Sequence, residues 1–561
     1  MNILGINYGG HDTSAALMID GKLIAACEEE RYIKDKHTRV FPANAVSDCL
    51  KMAGLSIKDI DRAAFCYKPD LLLTTDSPIR KMRRDLPTEE DFREVLEKET
   101  GYQGPVDFHE HHVCHLASAY YPSGFLDALL MSNDGVGEIL CSLYGKGVYG
   151  GIQPVFAENE WPHSLGLLYS AVTFYLGWKP MYDEGITMGL APLGDSSAIV
   201  EGTEKTYLEV FREIIEPSNT YGVKINLDWV AFHSERSKFV GDKFIETFGP
   251  KKEWADPITE NHKNIAAGLQ DRLEEIVLDQ LRAARKNFGL DKLCIAGGVG
   301  LNCSLNGKIV QSGIFDKVFV QPGAGDNGTA IGACYLSTKA NWGGEFLPVK
   351  DHNFYLGSES TDEEIEAYLK EQGLKYTRLN GDYDIVAQKL TERNIIGWFQ
   401  GRAEFGPRAL GNRSILTSPF PADIKDHINA KVKFREAFRP FAPAVLADHA
   451  SDYFHIEQES PHMLMAVQVR EDKKDAIPAV IHVDNSARVQ TVAETNNPQF
   501  HKLLTLFNEK TGIPVLLNTS FNVKGQPIVN DIADAVGCFL GTNIDILVAG
   551  DFMVIKETDG E

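Results

Sequence analysis

The chain opens on a short apolar run at residues 3–8, which reads as a buried strand. Gly9-Gly10 ends it as a tight turn. Residues 14–19 and 23–27 form two more apolar runs, and Asp20-Gly21-Lys22 between them is a hairpin signal. Together they predict a glycine-tipped β-meander. Residues 42–53 and the stretch from Ile57 onward predict helical and turn segments. Further along, Ile265, Leu269, Leu273, Ile276, Val277 and Leu281 keep helical spacing. They predict an amphipathic helix over 264–288, with Gly289 as its C-terminal stop. Short buried strands at 293–296 and 318–320 follow, then a small-residue helix at 329–337. The pattern lapses around 340–357, through Asn341-Trp342-Gly343-Gly344-Glu345, Pro348 and Gly357. This predicts a first domain at 1–345, a linker at 346–357 and a second α/β domain at 358–561. No fixed-period repeat or low-complexity tract is evident.

The length of 561 residues exceeds what one hydrophobic core usually serves, in keeping with two domains. The net charge of −23 argues against nucleic acid as the main partner, because phosphate backbones need clustered Lys and Arg. A local basic pocket for a small phosphate remains compatible with that exterior. The cysteines at 27, 49, 66, 114, 141, 294, 303, 334 and 538 contain no CxxC pair, which fits reduced thiols and a cytoplasmic location. The N-terminus has no basic n-region, so no signal peptide is expected. The longest mostly apolar stretch, 165–178, is too short to span a bilayer, and no membrane partner is expected. Arg80-Lys81-Met82-Arg83-Arg84 precedes a run of acidic residues and reads as a solvated helix or mobile lid in preference to an anion site.

Candidate chemistry begins at His111-His112-Val113-Cys114-His115. On a helix, His111 and His115 share one face, one turn apart. Asp134, at the end of the next strand, could reach the same ion. Two His and a carboxylate suit a first-row transition metal better than Mg²⁺ or Ca²⁺. Three glycine-flanked turns carry acidic or amide residues: Gly9-Gly10-His11-Asp12, Asp134-Gly135-Val136-Gly137-Glu138 and Gly325-Asp326-Asn327-Gly328. Gly297-Gly298-Val299-Gly300-Leu301-Asn302 adds an adenosine-type loop. Gly-rich loops at strand ends are where nucleotide phosphates dock. The order of these loops resembles the actin, sugar-kinase and Hsp70 ATPase fold. The two His resemble its threonylcarbamoyl-transferase branch. Carried over by position, that resemblance implies His111, His115, Asp134 and Asp326 as metal ligands. Asp326 has an alternative role as the N-cap of the helix that starts at Thr329.

The second domain is locally basic. It holds Gly401-Arg402-Ala403-Glu404-Phe405-Gly406-Pro407-Arg408-Ala409-Leu410-Gly411-Asn412-Arg413-Ser414, then Asn429 to Glu436, then Phe438-Arg439-Pro440-Phe441. Ala487-Arg488-Val489-Gln490 and Asn518-Thr519-Ser520-Phe521-Asn522 come later. Guanidiniums amid apolar, Pro- and Gly-rich sequence must meet anions. The anions are either bound phosphates or the carboxylates of Glu404 and Glu436.

With His11-Asp12, Glu28-Glu29-Glu30-Arg31 and Met188-Gly189-Leu190-Ala191-Pro192, these strings closely resemble the NodU/CmcH family of O-carbamoyltransferases, which act on nodulation factors, cephems and aminoglycosides. The resemblance covers nearly the whole chain. One departure lies at Ile186-Thr187, where family members often carry Lys-Val. The resemblance implies an actin-like first domain and a YrdC-like second domain that makes carbamoyl-adenylate from carbamoyl phosphate and ATP with Mg²⁺. It implies phosphate-binding roles for Arg408, Lys433, Arg439, Arg488, Ser520 and Asn522. The first domain would hold the adenylate against Gly297, Gly298 and Asn302 and pass the carbamoyl group to a small-molecule hydroxyl. His11 is the candidate general base, oriented by Asp12, and the resemblance favours Fe²⁺ as the metal. A tRNA-type threonylcarbamoyl transferase and a non-catalytic nucleotide-binding regulator are the alternatives. A homodimer is the default guess for oligomeric state.

Overall fold

The computed structural model describes residues 1–75, 77–83, 86–156, 159–235, 237–350, 353–433, 436 and 438–556. Arg84, Phe434 and Arg435 of the basic strings, and Asp351 and His352 of the expected linker, lie outside the described residues. The chain forms two compact units. The first holds residues 1–23, 39–43 and the described residues from 55 to 350. The second holds 24–38, 44–54 and the described residues from 353 onward. A single cut at 346–357 therefore misses 24–38 and 44–54, which pack with residues more than 300 positions away. Apolar spacing reports that a segment is buried. It does not report what buries it.

The chain up to residue 320 forms two five-stranded sheets with the same plan. One has β1 (Asn2–Asn7), β2 (Ser14–Ile19), β3 (Lys22–Glu28), β4 (Arg62–Phe65) and β5 (Val106–Phe108), in the order β3-β2-β1-β4-β5. The other has β6 (Asp127–Asn133), β7 (Ser142–Val148), β8 (Gly151–Phe156), β11 (Lys292–Ala296) and β12 (Lys317–Val320), in the order β12-β11-β6-β7-β8. A small two-stranded sheet, β9 (Ile215–Pro217) with β10 (Val223–Ile225), lies in sequence between β8 and β11 of the second sheet. In each large sheet a meander of three strands is followed by two strands parallel to the first. The duplication is topological and left no period in the sequence. The expected opening meander is present. Its turn uses positive φ at both Asp20 and Gly21, as a two-residue hairpin requires. The long helix runs Glu260–Phe288 and starts four residues earlier than its apolar spacing suggested. Thr259 and His262 form a capping box that lies outside the apolar stripe.

Two helices fill the space between the sheets. Helix His111–Ser123 follows the first sheet but packs on β6 and β11 of the second. Helix Thr329–Asn341 follows the second sheet but packs on β1 and β2 of the first. The two helices pack on each other, and small residues permit the approach. A Cβ on Gly332 would lie 1.9 Å from the Cys114 carbonyl oxygen, and one on Gly5 would lie 2.1 Å from that of Ala330. Almost every residue of helix His111–Ser123 is buried, as is Thr329–Thr338 apart from Leu336, as expected of helices covered on most sides.

The second unit is built on an eight-stranded mixed sheet of β13 (Thr377–Arg378), β14 (Ile396–Phe399), β15 (Arg413–Thr417), β16 (Ala442–Leu446), β19 (Gln490–Val492), β20 (Val515–Ser520), β21 (Ile546–Ala549) and β22 (Phe552–Ile555). Its order is β13-β22-β21-β14-β15-β20-β16-β19. A separate ribbon pairs β17 (Ala466–Gln468) with β18 (Ser486–Arg488). Alternate residues of the sheet feed two cores. Val515, Leu517, Ile415 and Leu547 face one, and Leu516, Leu416, Ile546 and Val548 face the other. Both faces are covered, so strands such as β14 and β21 are apolar on both sides.

Arg413 sits inside this sheet with no exposure. It donates to the carbonyls of Gln400, Ser358, Gly401, Asn412 and Asn530, and its guanidinium lies 3.8 Å from the Phe399 ring centroid. It is structural, held by backbone dipoles.

Gly332→Ala tests the helix contact. It is expected to lower unfolding free energy by about 1–3 kcal/mol, because neither backbone can yield without moving its helix. Urea titration of the full chain measures it.

Candidate metal centre

The candidate residues of the first unit lie at strand ends and helix starts. His111 begins the helix after β5, and His115 lies one turn on. Asp134 follows β6, and Asp326 lies in the 3-10 turn ahead of helix Thr329–Asn341. The helix contact at Gly332 brings these elements together. All four side chains are buried, and one donor atom from each lies within 4.8 Å of every other.

The imidazole Nε2 atoms of His111 and His115 lie 3.1 Å apart. Asp326 Oδ1 lies 3.4 Å and 3.7 Å from them, and Asp134 Oδ2 3.6 Å and 3.9 Å. Two nitrogens bound to one first-row ion sit about 3 Å apart, given metal–nitrogen bonds near 2 Å. Asp326 Oδ1 and both Nδ1 atoms are buried without hydrogen-bond partners. The donor set and its spacing fit a first-row divalent metal. Asp326 does not cap its helix with its side chain; the N-cap is Gly328 and carries no side-chain bond. The carboxylate faces the imidazoles.

Electrostatics favour cation binding here. Burial opposes charge on His111, but Tyr67, Asp326 and Asp134 together outweigh it and hold the imidazole well above its ordinary pKa. Burial likewise opposes ionisation of Asp134 and Asp326, yet the imidazoles hold both below the carboxylate range. Protons here do what a divalent ion can do instead: offset two buried carboxylates.

Several neighbours position the ligands. The Gly298 N–H donates to Asp134 Oδ1 at 2.8 Å, which leaves Oδ2 for the imidazoles. Gly297 has φ +84, and a Cβ there would strike the Asn133 carbonyl at 2.3 Å. His112 is not a ligand. Its Nε2 lies 2.9 Å from the Leu140 carbonyl and its Nδ1 2.9 Å from Ser132 Oγ. Burial and the adjacent His111 push its pKa down to about 3, so it is neutral and clamps the helix to the Asp134 loop. Glu138 accepts from the backbone N–H of His111 and of Lys68. The Tyr67 ring stacks on His111 at 4.5 Å, and its hydroxyl lies 3.4 Å from Asp326 Oδ2.

His11 and Asp12 occupy the turn between β1 and β2. His11 Nδ1 lies 2.8 Å from Asp12 Oδ2, and its Nε2 lies 4.0 Å from Asp326 Oδ2. Burial opposes charge on His11, but Asp326 and Asp12 raise its pKa to about 9. Asp326 thus turns one oxygen to the His pair and the other toward His11. Asn302 is already engaged. It exchanges hydrogen bonds with Gln270 and caps Leu305.

In the second unit the structure joins three of the six expected anion-site residues. Lys433 is buried and donates to Asn522 Oδ1 at 2.7 Å, to Ser520 Oγ at 3.3 Å and to the Ser520 carbonyl. Ser520 Oγ donates to Asn522 Oδ1 at 2.8 Å. Arg439 lies 3.5 Å from Glu436, which Lys524 also approaches at 3.6 Å, so two cations share one carboxylate and the pair keeps positive charge to offer an anion. Arg408 and Arg488 are half-buried, one in the loop after β14 and the other in β18. From the basic cluster before residue 86, Arg83 is no solvated charge. It donates to the carbonyls of Val136 and Gly137 and lies over the Tyr67 ring.

Sequence comparison places this geometry in a family. The family described as Carbamoyltransferase N-terminus matches residues 2–77 and 86–335, and Carbamoyltransferase C-terminus matches 387–556. The chain belongs to the carbamoyltransferase family. It is 38% identical to an uncharacterized protein of Synechocystis sp. over 99% of this chain and 97% of the relative. It is 39% identical to nodulation protein NolNO of Sinorhizobium fredii over 98% of this chain and 79% of that one. It is 36% identical to a 3′-hydroxymethylcephem-O-carbamoyltransferase of Streptomyces clavuligerus over 54% of this chain and 57% of the relative. Among the described residues, no helix of this carbamoyltransferase is long and apolar enough to cross a membrane.

Motif reading passed over Tyr67, His112, Glu138 and the Gly298 amide. His112 and Glu138 stood within quoted strings, yet only the fold shows that they hold backbone. Nothing in the sequence marks Tyr67.

The centre predicts one tightly held equivalent of a divalent first-row metal. His115→Ala and Asp326→Asn are expected to abolish stoichiometric binding. His112→Phe, which frees the loop without removing a ligand, should weaken it about 10- to 100-fold. Competition with a chromophoric chelator reads all three.

Proposed function

We propose that this carbamoyltransferase is an ATP-dependent O-carbamoyltransferase acting on a hydroxyl of a small molecule. The convergence of His111, His115, Asp134 and Asp326 beside His11 carries the reading, in a chain matched by both carbamoyltransferase families. The duplicated sheet of the first unit supports an actin-like nucleotide-binding fold, and the second unit is the YrdC-like half that activates the carbamoyl group. Hydrolysis of carbamoyl phosphate by one water supplies that group as carbamate, with inorganic phosphate leaving. A carbamate oxygen attacks the α-phosphorus of ATP and expels pyrophosphate, giving carbamoyl-adenylate. The acceptor oxygen then attacks the carbamoyl carbon and AMP leaves.

Arg408, Lys433, Arg439, Arg488, Ser520 and Asn522 offset the phosphate charge in the activation step. Mg²⁺ accompanies ATP. His111, His115, Asp134 and Asp326 would hold Fe²⁺, which would supply Lewis acidity toward a carbonyl or phosphate oxygen. Gly297, Gly298 and Asn302 border the adenylate. His11, paired with Asp12, handles the proton of the acceptor hydroxyl. The acidic exterior disfavours a tRNA acceptor, and the enzyme works in the cytoplasm.

The activation half needs no acceptor. Purified protein with ATP, Mg²⁺ and carbamoyl phosphate is expected to release pyrophosphate only when carbamoyl phosphate is present, and Arg439→Ala to lose at least about 10-fold of that rate. ATP binding without such turnover would overturn the reading in favour of a nucleotide-binding regulator.

A further inference from the structure

The string Glu28-Glu29-Glu30-Arg31 has no role in the proposed chemistry, yet its Glu28, Glu29 and Arg31 are buried within the second unit. Arg31 Nη2 lies 2.7 Å from Glu28 Oε2 and donates to the Gly406 carbonyl at 2.8 Å. The Gly406 N–H donates to the same Glu28 oxygen at 3.4 Å. The pair therefore grips Gly406 by both its N–H and its carbonyl. Gly406 holds φ +109, which other residues rarely adopt, and Pro407 fixes the next φ. Arg408 follows directly.

The other side of Arg408 is fixed as well. Glu404 Oε1 accepts from the Leu410 N–H at 2.6 Å, and Asn518 Nδ2 donates to the Ala409 carbonyl at 3.2 Å. Stability alone does not explain a buried ion pair here, since an apolar pair of equal volume often does as well. Arg31 even leaves Nη1 without a hydrogen-bond partner. Fixed geometry is what the pair provides.

We infer that Glu28 and Arg31 are positioning residues that hold the 401–413 loop so that Arg408 meets a substrate phosphate. This rests on the anion-site reading above. It adds a specific claim: a segment near the N-terminus, more than 370 residues away in sequence, sets the geometry of that site.

The test follows pyrophosphate release by the full chain, with carbamoyl phosphate and ATP varied in turn. Arg408→Met is expected to raise one of the two KM values. Arg31→Met should raise the same one by about 10- to 100-fold with a smaller change in kcat, the usual cost of a misplaced binding group. Arg31→Lys, which keeps the charge, should recover part of the loss. Arg212→Met, in an exposed pair with Glu275, serves as the control expected to match wild type. Thermal melting and metal content verify that each variant is folded. If Arg31→Met does not fold, Glu28→Gln carries the same expectation. A raised KM in Arg408→Met with wild-type values in folded Arg31→Met and Glu28→Gln overturns the inference alone. A wild-type KM in Arg408→Met overturns the anion-site reading and this inference with it.

Discussion

The first unit depends on the contact between helices His111–Ser123 and Thr329–Asn341. Gly332 meets the Cys114 carbonyl with no room for a methyl group. Each helix follows one sheet in sequence and packs on the other, so the contact ties the two halves together. It also sets the separation between the imidazoles, which ride on one helix, and Asp326, which precedes the other. Interiors are packed like crystals, so a small change at Gly332 has no free volume to absorb it. Ligand geometry and core packing are here one constraint.

Burying two carboxylates and two imidazoles is costly unless charges cancel. The cluster cancels them internally, through His–Asp pairs at 3.4–3.9 Å. Around it, the neighbours work mainly on backbone: Gly298 gives its amide to Asp134, Glu138 receives the first amide of the His helix, and His112 meets the Leu140 carbonyl. Each fixes a loop that would otherwise leave a ligand free to swing. Such a pre-set arrangement would lose little entropy on taking the ion proposed for it.

The second unit solves a related problem with cations. Its basic residues divide by what they touch. Arg413 is saturated by carbonyls, Arg439 leans on Glu436, and Lys433 binds the Ser520–Asn522 turn. Sequence made these side chains look alike, as positive charges in an apolar setting. Their neighbours separate structural cations from those near an anion-binding loop.

Local signals in the sequence determined the opening hairpin, the long helix, the short strands with their glycine turns, and the His111–His115 face. These are legible because periodicity, turn chemistry and helical spacing act within about ten residues. The four residues of the metal cluster were also named from sequence, but through resemblance, since no local rule links residue 111 to residue 326. Only the tertiary structure decided that residues 24–38 and 44–54 pack in the second unit, that the first sheet plan is repeated, and that Tyr67 and Glu138 border the cluster. The physical reason is the same in each case. Those outcomes rest on hydrogen bonds and packing between distant segments, and a residue's identity does not say which distant backbone it will meet.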